Sequence, residues 1–209
     1  MPVTSDGAAT AHPGKERLRA ELRARRRARS AEERAEAARG LERVLLAASA
    51  AAGAGCVAAY LPVPGEPDVL PALRALAPRG VRVLVPLLRP DLDLHWAELP
   101  LGVAVVGSPV RPRLLEPDSP DLGPAALALA DVVLVPALAV DRRGVRLGQG
   151  GGSYDRALPR ARPGALLAAV VHADELVDGP LPAEEHDVRV TAALTPTGLV
   201  RLATGPDGP

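Results

Sequence analysis

Phenylalanine is absent from this 209-residue chain, and Trp96, Tyr60 and Tyr154 are its only aromatic side chains. The core must therefore be built from leucine, valine and alanine, and a hydrophobic content of 47% supplies enough of them. Cys56 is the single cysteine, which excludes an intrachain disulfide, and no CxxC pair or histidine cluster offers a zinc site. An excess of charge is missing as well. The 25 basic and 25 acidic side chains cancel, so no global field draws the chain to nucleic acid or to a membrane surface. No apolar run approaches the ~20 residues of a membrane span, and no signal peptide is recognisable. A cytoplasmic location is expected, with no nucleic-acid or membrane partner, and we expect a monomer. Lysine is nearly missing too: Lys15 is the single lysine among 25 basic side chains. A compact ammonium kept where arginine is otherwise always used reads either as a place that a planar fork does not fit or as chance retention.

What is present in abundance is glycine between Asp141 and Arg156. Gly148, Gly150, Gly151 and Gly152 fall within five residues, after an apolar run from Val132 to Val135 that ends at Pro136. A strand, a glycine-rich turn and a helix starting near Ser153 read as an arrangement that holds phosphate, with a flexible surface loop as the alternative. Glycines let backbone N–H groups approach an anion, and a helix start offers unpaired N–H groups. Arg146 before the turn is a phosphate partner and Asp155 after it a possible Mg²⁺ ligand. No Lys-Ser/Thr pair closes the segment and it is not GxGxxG, so it is neither a Walker loop nor a dinucleotide fingerprint.

Around this stretch the chain predicts one α/β domain at 14–202 between disordered tails at 1–13 and 203–209. A helix is predicted from Gly14 to Arg29, placing Lys15 and Arg19 on one face and Leu18 and Leu22 on another. Its arginine run, Arg23 to Arg29, reads as a solvated face. Ser30 and Glu33 form a capping box that starts a second helix, to about Ala51. Strands are predicted at Cys56–Leu61, Val81–Val85 (ending at Pro86), Leu92–Leu99, Val132–Val135, Leu166–Val171 and Val188–Leu194, with a short helix at Val69–Leu76. Residues 100 to 124, rich in proline and glycine, predict a long loop around Leu114 to Pro117. Alternating strands and helices with apolar strands imply a three-layer α/β/α fold on a mainly parallel sheet, with two amino-terminal helices. Ligands in such sheets gather beyond the carboxyl ends of the strands. The glycine turn, Tyr60 to Asp68 and the region after Val171 fit that rule, and Glu185-His186-Asp187 adds a second acid for a metal.

Lys15-Glu-Arg-Leu-Arg19, Tyr60-Leu-Pro-Val-Pro-Gly-Glu66, Leu134-Val-Pro-Ala-Leu-Ala-Val-Asp141, Arg146-Leu-Gly-Gln-Gly-Gly-Gly-Ser-Tyr-Asp155 and Glu185-His-Asp187 occur in that order. Together they resemble the 5-formyltetrahydrofolate cyclo-ligase (methenyltetrahydrofolate synthetase) family over about residues 14 to 200. The resemblance implies a three-layer α/β fold and a place in one-carbon metabolism. It implies use of MgATP to convert 5-formyltetrahydrofolate to 5,10-methenyltetrahydrofolate, ADP and phosphate, by phosphorylating the formyl oxygen and letting N10 attack. By the same resemblance Lys15 and Arg146 are catalytic. Lys15, Arg19, Arg146, Gly148, Gln149, Gly150, Gly151, Gly152, Ser153 and Tyr154 bind ATP, and Asp155 and Asp187 hold Mg²⁺. Tyr60, Glu66, Gly150, Gly151 and Ser153 bind the folate. Ser153 stands where the family often has the first Tyr of Tyr-Tyr-Asp, and Gln149 where many members have Tyr or Arg.

Two other readings compete: a non-catalytic folate- or nucleotide-binding protein, and a sugar-phosphate isomerase on a related scaffold. The isomerase would need an acid/base pair, for which Glu66 alone offers itself. Cys56, in an apolar strand, reads as core. His172 and His186 read as structural or loop residues, because no serine or cysteine partner motif accompanies them.

Overall fold

The computed structural model describes residues 13–51, 53–100 and 102–203. The expected amino-terminal tail lies outside the described residues except for Pro13, which opens the first helix. The expected carboxyl-terminal tail lies outside them beyond Ala203, whose N–H donates to the Arg142 carbonyl. Among the described residues no helix is long and apolar enough to cross a membrane.

Helix α1 spans Pro13–Ala28 and α2 spans Ala31–Ala51. The break between them is the capping box read from the sequence. Ser30 Oγ accepts from the Glu33 N–H at 3.1 Å while the Glu33 carboxylate accepts from the Ser30 N–H at 2.6 Å. Strand β1 (Cys56–Ala58) is followed by α3 (Leu70–Leu76), which has proline in its first turn, and by β2 (Arg82–Leu88) and β3 (Leu94–Glu98). A small hairpin, β4 (Val105–Gly107) and β5 (Leu115–Pro117), precedes β6 (Val132–Pro136). Next come β7 (Ala139–Asp141), β8 (Arg146–Leu147), α4 (Ser153–Ala157), β9 (Leu166–Val170), β10 (Leu176–Val177), β11 (Ala192–Thr195) and β12 (Gly198–Arg201).

The main sheet has seven strands in the order β12-β11-β9-β6-β1-β2-β3. Its inner pairs are parallel, and β12 and β3 close the two edges antiparallel. Strand alternation sorts the core into two layers. Val133 and Val135 of β6 face Trp96, Leu127 and Ala157, whereas Val132 and Leu134 face Leu41 and Leu45 of α2 and Leu73 of α3. A separate three-stranded sheet, β10-β7-β8, packs Leu138, Val145 and Leu147 against Leu22 of α1. The mainly parallel three-layer arrangement is therefore as expected.

Several boundaries differ from the sequence expectation for physical reasons. β2 runs through Pro86 to Leu88 instead of stopping there. β1 ends at Ala58, and its last contact is the Ala59 N–H to the Leu84 carbonyl, so no neighbour requires the N–H that Pro86 lacks. Two residues on, the Leu88 N–H is satisfied by the Glu116 carboxylate at 2.9 Å. That bond also fixes the β4–β5 hairpin, which occupies the region expected to be a long loop. β1 is shorter than expected, and β11 begins at Ala192, not Val188, because the Val188 backbone is engaged elsewhere. β7 and β8 intervene between β6 and the glycine turn, and α4 has only five residues.

Gly40, inside α2, sits against the turn between β11 and β12. A Cβ there would fall 2.4 Å from the Pro196 carbonyl oxygen and 2.8 Å from Pro196 Cβ. Alanine is worth about 1 kcal/mol over glycine in a helix, but overpacking against backbone costs about 1–3 kcal/mol or more. Gly40→Ala is therefore expected to lower stability by roughly 1–2 kcal/mol in urea unfolding. A gain would show that the α2–sheet contact is looser than drawn.

Candidate active site

A cleft of about 500 Å³ opens beyond the carboxyl ends of β1, β2 and β6, lined there by Tyr60, Leu61, Pro86, Leu88 and Pro136. Lys15, Arg19, Glu66, Arg146, the loop from Gly148 to Gly152, Ser153, Tyr154, Asp155 and Asp187 line the same cleft. Every residue singled out from the sequence as a site candidate thus reaches one cavity.

α1 forms one wall. Its residues Lys15, Arg19, Arg23 and Arg26, with Arg29 just past its end, recur at helical spacing, and each meets a fixed acceptor. Lys15 Nζ lies 2.9 Å from both Asp187 Oδ2 and Glu184 Oε1. Arg19 Nε donates to the Gly148 carbonyl at 2.9 Å, and Arg23 Nε to the Gln149 side chain at 3.0 Å. Arg26 makes a two-pronged pair with Glu175, at 2.8 and 2.7 Å, and donates to the Ala137 carbonyl. Arg29 pairs with Asp174. The expectation of a solvated arginine face holds for Arg25 and Arg27, which are exposed, and is corrected for Arg26 and Arg29, whose guanidinium groups are engaged by distant carboxylates. Arg26 is 4% exposed, and this stripe docks the helix onto the glycine loop and the β9–β10 connection.

In the glycine loop Gly150 and Gly152 take φ of 100° and 66°, values that side chains resist. A Cβ on Gly150 would meet the Arg19 guanidinium at 3.5 Å, and one on Gly152 would meet Arg156 Nη1 at 3.1 Å. The glycines thus let two guanidinium groups close on the backbone. Arg146 donates to Asp155 Oδ1 at 2.7 Å and to the Val188 carbonyl, and the Val188 N–H donates to the same Asp155 oxygen at 3.0 Å. This clamp is where the Val188 backbone goes. Asp187 Oδ2 also accepts from the Glu184 N–H at 2.8 Å, so Asp187 caps a turn as well as holding Lys15. Burial pulls the Lys15 ammonium down, but the Asp187 and Glu184 carboxylates outweigh it and hold the ammonium above its ordinary value. Burial likewise pushes Asp187 up, and Lys15 with the Glu184 N–H brings it below the ordinary range.

The donor set suits a hard, oxygen-seeking cation that shares its shell with phosphate. Asp155 and Asp187 each commit one oxygen to the contacts above. No group of three or more metal-ligating side chains exists among the described residues. Mg²⁺ held by one or two carboxylates plus phosphates and waters needs no such group.

In the segment after β1, the Tyr60 hydroxyl donates to the Pro67 carbonyl at 2.8 Å and so braces its own loop. Glu66 accepts from the Val63 N–H at 3.2 Å. Burial raises its carboxyl, against the opposing pull of the Val63 N–H, Arg26 and the Gln149 amide. Cys56 is core, as read, with burial pushing its thiol up to about 11. His172 is buried and caps the short 3₁₀ turn at Ala173–Glu175. His186 is exposed at the cleft edge. Sequence reasoning missed Glu184 and Arg156, because pairing across distant loops leaves no local pattern, and Arg111, which only the fold brings to the cleft.

The Tyr154 hydroxyl is buried in the cleft wall and has no hydrogen-bond partner among the described residues. An unmet buried hydroxyl costs about 1–3 kcal/mol. Tyr154→Phe is therefore expected to leave the melting temperature of the unliganded protein unchanged or higher, as thermal denaturation would report. A clear drop would mean the hydroxyl is already satisfied.

Comparison with known proteins identifies the family. The model of the 5-formyltetrahydrofolate cyclo-ligase family matches residues 11–196. A 5-formyltetrahydrofolate cyclo-ligase of Mycolicibacterium smegmatis is 46% identical over 152 residues, covering 70% of this chain and 76% of that protein. The Escherichia coli K12 enzyme of the same name is 34% identical over 155 residues, covering 68% and 78%. The solved structure of 5,10-methenyltetrahydrofolate synthetase from Aquifex aeolicus superposes with a TM-score of 0.73 at 25% identity, over 92% of this chain and 95% of that one. With the family match running from α1 past the Lys15–Asp187 pair into β11, the chain belongs to the 5-formyltetrahydrofolate cyclo-ligase family.

Proposed function

We propose that this protein converts 5-formyltetrahydrofolate to 5,10-methenyltetrahydrofolate, using ATP and releasing ADP and phosphate. The observation that carries the reading is the meeting of Lys15, Arg19, Arg146, the glycine loop, Asp155 and Asp187 with Glu66 in one cleft.

A formamide carbon is a poor electrophile because the nitrogen lone pair is delocalised into the carbonyl. Transfer of the γ-phosphoryl group to the formyl oxygen forms a P–O bond, breaks the bond to ADP, and leaves an iminium-like carbon. N10 of the same molecule attacks that carbon, so the substrate itself supplies the proximity. N10 loses its proton, the C–O bond breaks, and phosphate departs as the methenyl bridge closes. The protein's task is to position groups and stabilise charge. Lys15, Arg19, Arg146 and the amides of Gly148 to Gly152 neutralise and orient the phosphates. Asp155 and Asp187 would hold Mg²⁺, which when bound offsets phosphate charge. The Lys15–Glu184 and Lys15–Asp187 pairs keep the ammonium in the cleft until phosphate oxygens replace a carboxylate. Glu66, remote in sequence from the phosphate-binding groups but beside Gln149 of the glycine loop, would accept from the pterin N–H donors. Gln149 and Ser153, which depart from the family pattern, lie on the loop between the two substrates.

Incubation with 5-formyltetrahydrofolate and MgATP, followed by methenyl absorbance, tests the activity directly; no product with both present would refute it. Lys15→Met and Asp155→Asn are each expected to lower kcat/KM for ATP by roughly a hundredfold or more. Folate affinity should change by less than about threefold in the same variants. Equal losses for both substrates would argue against these roles. Glu66→Gln should do the reverse, raising the folate KM by about tenfold, the worth of one charge-assisted bond. The same substitution carries a stability signature. Because burial raises the Glu66 carboxyl, the fold favours the protonated acid, and this group's contribution falls as pH rises through the raised value. Glu66→Gln should thus melt above the wild type at about pH 8 and lose that advantage near about pH 4, where the ordinary carboxyl is also protonated.

A further inference from the structure

Four arginines line the cleft: Arg19, Arg111, Arg146 and Arg156. Three of them are committed. Arg19 donates to the Gly148 carbonyl, Arg146 to Asp155 and Val188, and Arg156 to the Leu92 and Gly151 carbonyls. The Arg111 guanidinium has no hydrogen-bond or ion-pair partner among the described residues. Its backbone is nonetheless held in place. Arg111 belongs to the connection between β4 and β5, where its N–H donates to Ser108 Oγ and its carbonyl accepts from the Leu114 N–H at 2.8 Å. Glu116 ties that hairpin to the Leu88 backbone. The guanidinium reaches over the glycine loop, with Nη1 3.7 Å from where a Cβ on Gly151 would lie.

The surroundings identify the anion. Lys15, Arg19 and Arg146 already serve the phosphates, and each of them has an acceptor in the protein to exchange for a phosphate oxygen. Arg111 comes from a different segment, the β4–β5 connection, whose Leu114 packs with the apolar cluster of Leu88 and Leu94, and all three leucines line the cleft. Such an apolar slab suits the p-aminobenzoyl ring of a folate, and Arg111 is exposed beside it. A folate carries its two carboxylates just beyond that ring, on a glutamate that faces solvent. A planar guanidinium fork matches a carboxylate in two parallel hydrogen bonds. We propose that Arg111 is a specificity-determining residue that binds a carboxylate of the substrate's glutamate tail and so sets the folate along the β4–β5 hairpin. The inference rests on the folate reading above.

The test compares the full-length wild type with Arg111→Gln, using Arg113→Gln, on the same hairpin but not lining the cleft, as control. Two substrates are used: 5-formyltetrahydrofolate, and an analogue in which a neutral pentylamide replaces the glutamate. For Arg111→Gln the KM for 5-formyltetrahydrofolate should rise about tenfold, with kcat and the ATP KM within about twofold of the wild type. With the neutral-tailed analogue the wild type and Arg111→Gln should have equal KM, and Arg113→Gln should behave as the wild type throughout. A rise in the ATP KM instead would assign Arg111 to phosphate. A penalty that persists with the neutral tail, or no penalty with either substrate, would overturn the proposal. If the wild type yields no methenyl product, the proposed activity falls. Calorimetric affinities for the same two ligands then still decide Arg111 by the same comparison.

Discussion

The pairing of Arg26 with Glu175 is the contact on which the rest of the site depends. Both side chains are almost wholly removed from water, at 4% and 2% exposure. Burying each ion costs several kcal/mol unless its partner and its remaining hydrogen bonds are supplied. Here they are supplied: Glu175 accepts both Arg26 prongs and the His172 N–H, while Arg26 also reaches the Ala137 carbonyl. Removing one partner from such a pair costs about 3–5 kcal/mol, so few other placements of α1 are tolerable. With Arg26 fixed, helical spacing puts Arg23, Arg19 and Lys15 in turn against Gln149, Gly148 and Asp187. A helix too polar to be held by its apolar face alone is thus located by charge, and its far end becomes a wall of the cleft.

The chain has no net charge to attract a nucleotide, and its useful cations are neutralised internally. Lys15 rests on two carboxylates and Arg146 on one. Under the proposed function, phosphate binding would exchange one set of anionic partners for another, which costs less than dehydrating free ammonium and guanidinium groups. The same cleft retains groups that the unliganded fold does not favour: a carboxyl raised by burial at Glu66 and an unpartnered hydroxyl at Tyr154. Both are buried polar groups kept at the expense of stability, as expected of residues that wait for a ligand.

Much of this was legible in the residues. The capping box at Ser30 and Glu33, the apolar strands that became β1, β6 and β9, and the glycine segment each follow from local chemistry, and each is found where that chemistry puts it. The family resemblance added which cations and carboxylates to gather, and all of them line one cleft. The misread parts share one cause, which is that long-range partners outweigh local signals. Pro86 does not end β2 because its neighbour β1 has already ended. Arg26 is not solvated because Glu175, far along the chain, awaits it. Residues 105–117 form a hairpin despite their prolines because Glu116 bonds Leu88. Val188 is drawn out of β11 by Arg146 and Asp155.

The central claim is that α1 and the glycine loop grip the nucleotide's terminal phosphates jointly. Hydrogen exchange of the full chain with and without Mg²⁺ and a non-hydrolysable ATP analogue tests it most directly. The account predicts slowed exchange in two places at once, along α1 from Lys15 to Arg26 and through Gly148 to Tyr154. Protection of one segment without the other, or of neither at saturating analogue, would contradict it.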